Sequence, residues 1–403
     1  MSLTTFSGPP PLADDYRFSS DEERERRMRV LRDAMEQEGM DALVVSGRDD
    51  IRYRGRTFWV SDVWQLVADT HVVIFKDDRP VFIGGQVFGL EQPEQTDWAG
   101  ELRINGNAGA EVAAVLREHD LGAGRIGVVG LTDAAFAAWH LSEMKAGAPE
   151  ADFVDATDLF ETARQVNSDE SLDAFRATSA VMLDIYAALE PEIHPGMREI
   201  ELAARAHQVS REHGLRDPMV LMQTSPFGAL SFGTTKEIGN DDIVCLWIES
   251  AGPSGFWLEF RRCYTFGPPS VEAREFWKRS VECSHEGLDA LRPGAPAHAF
   301  SDAIERVMGA AGFELGWSDP NDTHHMYSLH GIGTDAIQGV WVPGKDRELR
   351  ENEVVNLHPT LEFSHEDLTK YGWLGITDNA IITPNGGQLM TLQRDLSDAF
   401  VEL

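Results

Sequence analysis

Residues 243–267 read IVCLWIESAGPSGFWLEFRRCYTFG, two β-rich runs on either side of a Gly-Pro-Ser-Gly stretch. Branched and aromatic residues suit a pleated strand, whereas glycine and proline interrupt one, so this segment predicts a β-hairpin. The flanking sequence is helical and repeats itself. Upstream, a long helix runs from Asp169 towards His194-Pro195-Gly196, and another from about Arg198 to His213-Gly214. Downstream, a helix over Glu275 to Leu291 is broken by Arg292-Pro293-Gly294, and a further one runs from about His298 towards Gly312. In both copies a glycine follows the Pro-Gly by 18 residues. Helix, Pro-Gly, helix on both sides of β-rich stretches predicts an α+β domain of two related halves, an internal pseudo-twofold repeat.

The N-terminal part has a different texture. Ser20 with Glu23 three residues later reads as a capping box that opens an amphipathic helix burying Met28, Leu31 and Met35 and ending near Gly39. Short apolar runs at 42–45, 71–75, 80–83 and 125–129 alternate with helical stretches at 111–118 and 133–145, the pattern of an α/β domain. The expected division is residues 1–165 and 166–403. A chain of 403 residues is long enough to bury two cores.

Composition excludes several partners. The formal net charge of −32 repels phosphate backbones and anionic lipid, so neither nucleic acid nor a membrane surface is an expected partner. No run approaches the roughly 18 apolar residues that span a bilayer. The N-terminus lacks a basic stretch followed by an apolar core, so export is not expected. Three cysteines, Cys245, Cys263 and Cys283, show no CxxC spacing, which supports neither a disulfide framework nor a cysteine zinc site and fits a reducing cytoplasm.

Ordered motifs add a resemblance. Gly255-Phe256-Trp257-Leu258-Glu259 with Arg262, then Leu329-His330-Gly331-Ile332-Gly333, then Val354-Val355-Asn356-Leu357-His358-Pro359, then the run from Gly375 to Gly386, follow one another as in the prolidase, aminopeptidase P and creatinase superfamily. Val166-Asn167-Ser168-Asp169-Glu170 resembles the segment that opens that superfamily's catalytic domain. The resemblance covers residues 20 to 400. It implies a creatinase-like N-terminal domain followed by a pita-bread catalytic domain, a homodimer, and a small-molecule substrate.

Metallopeptidase members of that superfamily hold two divalent ions through two hairpin aspartates, one histidine and two glutamates. By the family spacing this chain has Ile248 at the first aspartate, with Glu249 one residue off and, in a regular strand, on the opposite face, Glu259 at the second, His330 at the histidine, and His358 and Thr377 at the glutamates. Two ions close together need bridging carboxylates to offset their repulsion. The substitutions therefore point to a site without the ion pair, and no cofactor is expected. A single divalent ion on Glu259, His330 and His358 is the alternative.

Creatinase uses a glutamate where a metal ligand would stand, which Glu259 matches; the residue at its catalytic histidine is Leu230 here, and its two carboxylate-gripping arginines have no clear counterparts. The chemistry expected here is hydrolysis of a C–N bond, in an amide, amidine or cyclic amidine of a small nitrogenous molecule. Glu259 binds the polarised group or activates water, His330 or His358 carries the proton, and Asp378 orients the histidine; a nearby carboxylate favours the protonated imidazole. Trp247, Glu249, Trp257 and His325 are the candidate substrate-binding residues, the two tryptophans also being ordinary hairpin packing. The alternatives are a metal-dependent Xaa-Pro dipeptidase or aminopeptidase, a β-elimination lyase, and a non-catalytic binding protein on the same scaffold.

Overall fold

The computed structural model describes residues 19–65, 69–85, 90–91, 100–133, 136–227, 230–312, 329–338, 347–358, 374–390 and 400–403. Its chain forms two compact units, one of residues 167–332 and 339–403 and the other of 17–166 together with Gly333–Gln338.

The second of these units begins with α1 (Asp21–Gln37), whose Ser20 hydroxyl accepts from the Glu23 amide. The capping box is half made, because the Glu23 carboxylate turns instead to Arg26 and Arg27. The remaining elements are β1 (Ala42–Gly47), α2 (Arg54–Trp59), β2 (Trp64–Gln65), β3 (Thr70–Phe75), β4 (Val81–Gly84), β5 (Leu90–Glu91), β6 (Glu101–Ile104), α3 (Ala108–Glu118), β7 (Arg125–Val129), α4 (Ala138–Gly147), β8 (Asp152–Asp155) and α5 (Thr157–Gln165). Six strands lie in the order β6-β4-β3-β1-β7-β8. β1 runs antiparallel to β3 and parallel to β7, so the central strands are covered on both faces and read as continuous apolar runs. The expected helix at 133–145 begins later, at Ala138.

In the other unit α6 (Asp169–Leu189) and α7 (Glu199–Glu212) precede β9 (Arg216–Thr224), β10 (Ile243–Ala251) and β11 (Trp257–Thr265). They are followed by α8 (Val271–Ala290), α9 (Ala299–Ala310), β12 (Leu329–Gly331), β13 (Val354–Leu357), β14 (Asp378–Thr383), β15 (Gly386–Leu389) and β16 (Phe400–Glu402). Two four-stranded sheets result, β16-β11-β10-β9 and β12-β13-β14-β15. Gly196, Gly214, Gly294 and Gly312 take φ values of 88°, 83°, 82° and 83°, a left-handed backbone that matches across the two helix pairs and that a side chain would strain. α6 packs behind the hairpin, where the Tyr186 hydroxyl donates to the Phe260 carbonyl at 2.7 Å. Among the described residues no helix is long and apolar enough to cross a membrane.

Candidate active site

β11 is buried along its length and β10 from Val244 onward, and they pair Trp247 with Arg261, Glu249 with Glu259 and Ala251 with Trp257. Residues directly opposite in an antiparallel ladder project from the same face, so Glu249 and Glu259 stand side by side. Counting along the chain places Ile248 there and turns Glu249 away; the ladder reverses both. Ile248 pairs with Phe260 on the other face. What faces Glu259 is decided by pairing across the turn, and chain separation alone does not fix it.

β12 brings His330, and the end of β13 brings His358, to the same spot. Glu259 Oε2 lies 3.2 Å from His358 Nε2 and 4.0 Å from His330 Nε2, and the two Nε2 atoms are 3.1 Å apart. The rings are stacked with centroids 5.1 Å apart. Each residue is less than a tenth exposed. The backbone behind Glu259 is fastened by two amides from the other sheet, Asn379 Nδ2 donating to its carbonyl at 2.8 Å and Asn356 Nδ2 at 3.4 Å. Arg261 continues the seam, its amide donating to the Thr377 carbonyl and its Nη2 to that of Ile376. The signal for these positioning residues was an asparagine in the middle of each apolar strand, VVNL and DNAIIT.

His330 Nδ1 lies 3.0 Å from the Gly331 carbonyl. A carbonyl only accepts, so Nδ1 carries the proton and Nε2 presents a lone pair to the site. Burial, then the neighbouring His358, pulls the His330 imidazole down to about 4, against an upward pull from Glu259. The expectation of a protonated imidazole beside the carboxylate is therefore corrected at His330, where desolvation outweighs the charge. Burial drives the Glu259 carboxyl up, but His358 first and then His330 and Arg261 outweigh it and hold it below the usual range. Burial and the adjacent Glu259 push Glu249 well up, so one carboxyl of the pair keeps its proton while the other is ionised.

Asp378 was expected to orient a histidine; the hydroxyl that lies beside His358 Nδ1, at 3.4 Å, is Thr377 Oγ1. Asp378 pairs with Leu357, one step out of phase with His358, and accepts from the Asn379 amide. Trp247 lies in the core with the Arg261 guanidinium 4.4 Å over its ring, and Trp257 is buried on the same hairpin face. Neither tryptophan forms an open aromatic wall. His325 falls outside the described residues.

A bridged pair of ions does not fit these donors. Thr377 and His358 are neutral and replace carboxylates, and an imidazole offers one lone pair, which cannot bridge. Only Glu259, His330 and His358 have donor atoms all within 4.8 Å of one another among the described residues, and these could hold one ion.

Residues 172–384 match the metallopeptidase family M24, and residues 27–166 match the creatinase/prolidase N-terminal domain. The Xaa-Pro dipeptidase of Pyrococcus furiosus is 24% identical over 247 residues, 60% of this chain and 67% of that protein. The creatinase of a Bacillus species is 24% identical over 302 residues, 68% of each. Alignments to curated dipeptidases span 60% to 69% of those proteins' lengths. The solved Xaa-Pro dipeptidase from Bacillus anthracis superposes with a TM-score of 0.72 at 19% identity, covering 92% of this chain and 98% of the other. The fold is thus a creatinase-type N-terminal domain followed by a pita-bread catalytic domain.

Proposed function

Because the chain belongs to metallopeptidase family M24, we propose that it is a hydrolase that cleaves a C–N bond in a small nitrogenous molecule, an amide, amidine or cyclic amidine. The reaction takes place without the bridged ion pair. The observation that carries this reading is the convergence of Glu259 Oε2 and the two Nε2 atoms of His330 and His358 in one buried spot.

C–N hydrolysis needs a centre that polarises or activates, and a group that meets the leaving nitrogen. Glu259 is the ionised carboxylate at the centre, and the two imidazoles fix where its charge points. Glu249 pairs with Glu259 across the ladder, and in this reading its side chain meets the substrate's nitrogen end. Substrate contacts of this kind act best when the groups are held rigid beforehand, as the Asn356 and Asn379 amides hold the Glu259 backbone. The working form is a homodimer in a reducing cytoplasm, a reading that rests on the family resemblance and on the cysteine pattern. Sedimentation showing a monomer at micromolar concentration would remove the dimer from it.

The Xaa-Pro dipeptidase reading draws on the names of two relatives and asks for donors that His358 and Thr377 do not supply. The deciding experiment is a panel of small amides, amidines, cyclic amidines and Xaa-Pro dipeptides presented to the full chain and to Glu259→Gln. Turnover confined to the first three classes and lost in the variant supports the proposal. Preferential cleavage of Xaa-Pro dipeptides, or turnover indifferent to the substitution, ends it.

A further inference from the structure

We infer that Glu259, His330 and His358 form a mononuclear site for a borderline transition-metal ion, zinc or iron(II), standing where a bridged pair has been lost. This rests on the proposed hydrolase reading only in locating the reacting centre at the same three side chains.

The first support is metric. Atoms separated by 3.1, 3.2 and 4.0 Å lie on a circle of about 2.0 Å radius, so one point stands at the usual Zn–N and Zn–O bond length from all three at once. That match brings together residues from three strands, β11, β12 and the end of β13, in one buried spot.

The second support is a count of protons. His330 Nε2 is a lone pair, because its Nδ1 proton goes to the Gly331 carbonyl. Glu259 as a carboxylate brings acceptors only. Without an ion, a single N–H on His358 Nε2 would have to serve two acceptors, one at 3.1 Å and one at 3.2 Å. A cation in the centre satisfies all three atoms, with Thr377 Oγ1 free to take a proton from His358 Nδ1 at 3.4 Å. The outer contacts then have the arrangement that fixes ligating imidazoles in the right tautomer.

Donor chemistry sets the class of ion. Two imidazoles and one carboxylate suit zinc and iron(II), whereas magnesium and calcium call for sets rich in oxygen. The charge also limits the number: one carboxylate offsets half of one divalent ion and far less of two. Such an ion supplies Lewis acidity at the centre.

The test uses the full chain, stripped with chelator and titrated separately with Zn²⁺ and Co²⁺, with bound metal counted by mass spectrometry and Co²⁺ followed by its visible absorption. One ion per chain is expected. Glu259→Gln and His358→Ala should each lower Zn²⁺ affinity by more than the 10–100-fold that loss of an outer-shell partner costs. Should Glu259→Gln fail to fold, as judged by circular dichroism, His330→Asn takes its place with the same expectation. Less than a tenth of an ion per chain, two ions per chain, or one ion that survives these substitutions would overturn the inference. One ion bound in a chain that turns over no C–N substrate leaves the metal site standing and ends the hydrolase reading. Full turnover by protein that takes up less than a tenth of an ion per chain does the reverse.

Discussion

Each unit contains a pair of buried histidines in contact, and the two pairs have been put to different uses. In the N-terminal unit His71 Nε2 lies 3.0 Å from His140 Nδ1, with the rings edge to face, and Ser46 Oγ lies 2.8 Å from His71 Nδ1. That is a closed chain in which each His71 nitrogen has its own partner. In the catalytic unit the rings of His330 and His358 stack, their Nε2 atoms face each other, and a carboxylate completes the triangle. Burial lowers both His71, to about 3, and His330, to about 4. Desolvation is therefore common to both pairs and does not mark a reactive centre; convergence of lone pairs on a third donor does.

The largest expected contrast is in turnover. Glu259→Gln keeps the shape and removes the charge, and should slow the reaction by about 10²-fold or more, whereas His140→Ala in the other pair should leave it unchanged in a steady-state assay. His330→Ala and His358→Ala should each be slow, and combined with Glu259→Gln should cost much less than the sum, because groups that act as one unit are not additive. Independent costs would dissolve the distinction between the pairs.

Next comes the pH dependence of stability. His71 is buried with its folded pKa below its unfolded value of about 6.5, so the unfolded chain binds the extra proton. Its contribution is whole above pH 6.5 and is lost as the pH falls towards the folded value of about 3. Between pH 7 and pH 5 the N-terminal unit should lose about 2 kcal/mol more in the wild type than in His71→Gln, read from its urea transition in the full chain. Equal slopes would show that His71 is charged in the folded protein.

Smaller effects follow at the outer contacts. Thr377→Val should weaken Zn²⁺ binding by about 10-fold, measured by competition with a chromophoric chelator, because it frees the His358 ring to turn. Ser46→Ala removes one hydrogen bond from the other pair and should lower stability by about 1 kcal/mol with no effect on metal. A change in Zn²⁺ affinity on Ser46→Ala would break the comparison.

The hairpin and the two helix pairs were legible because local rules fix them: strand formers around a Gly-Pro turn, and Pro-Gly between helices. His330 and His358 were legible through ordered motifs. Glu249 was misplaced because a ladder register depends on turn length, and a count along the chain cannot supply it. Thr377 was passed over for Asp378 because alternation along a strand reverses with a single step. The His71–His140 contact left no trace in the sequence, since it joins a strand to a helix 69 residues later by tertiary packing alone.

The short segment Gly333–Gln338 also escaped notice, and it limits how this protein can be divided. Just beyond the strand that carries His330, the chain supplies six residues to the N-terminal unit. Asp335 accepts from Arg164 Nη1 at 2.7 Å and from the Gly55 amide, and Thr334 donates to the Gly55 carbonyl at 2.9 Å. A Cβ on Gly55 would sit 2.1 Å from the Thr334 oxygen, so the two backbones touch where only glycine fits. A fragment cut at the visible border near residue 166 would keep Arg164 with Glu161 and lose Asp335, one of the two carboxylates that face its buried guanidinium. Exchanging N-terminal domains between relatives would therefore have to transplant this hexapeptide too, making the graft discontinuous in the gene although the unit is continuous in space.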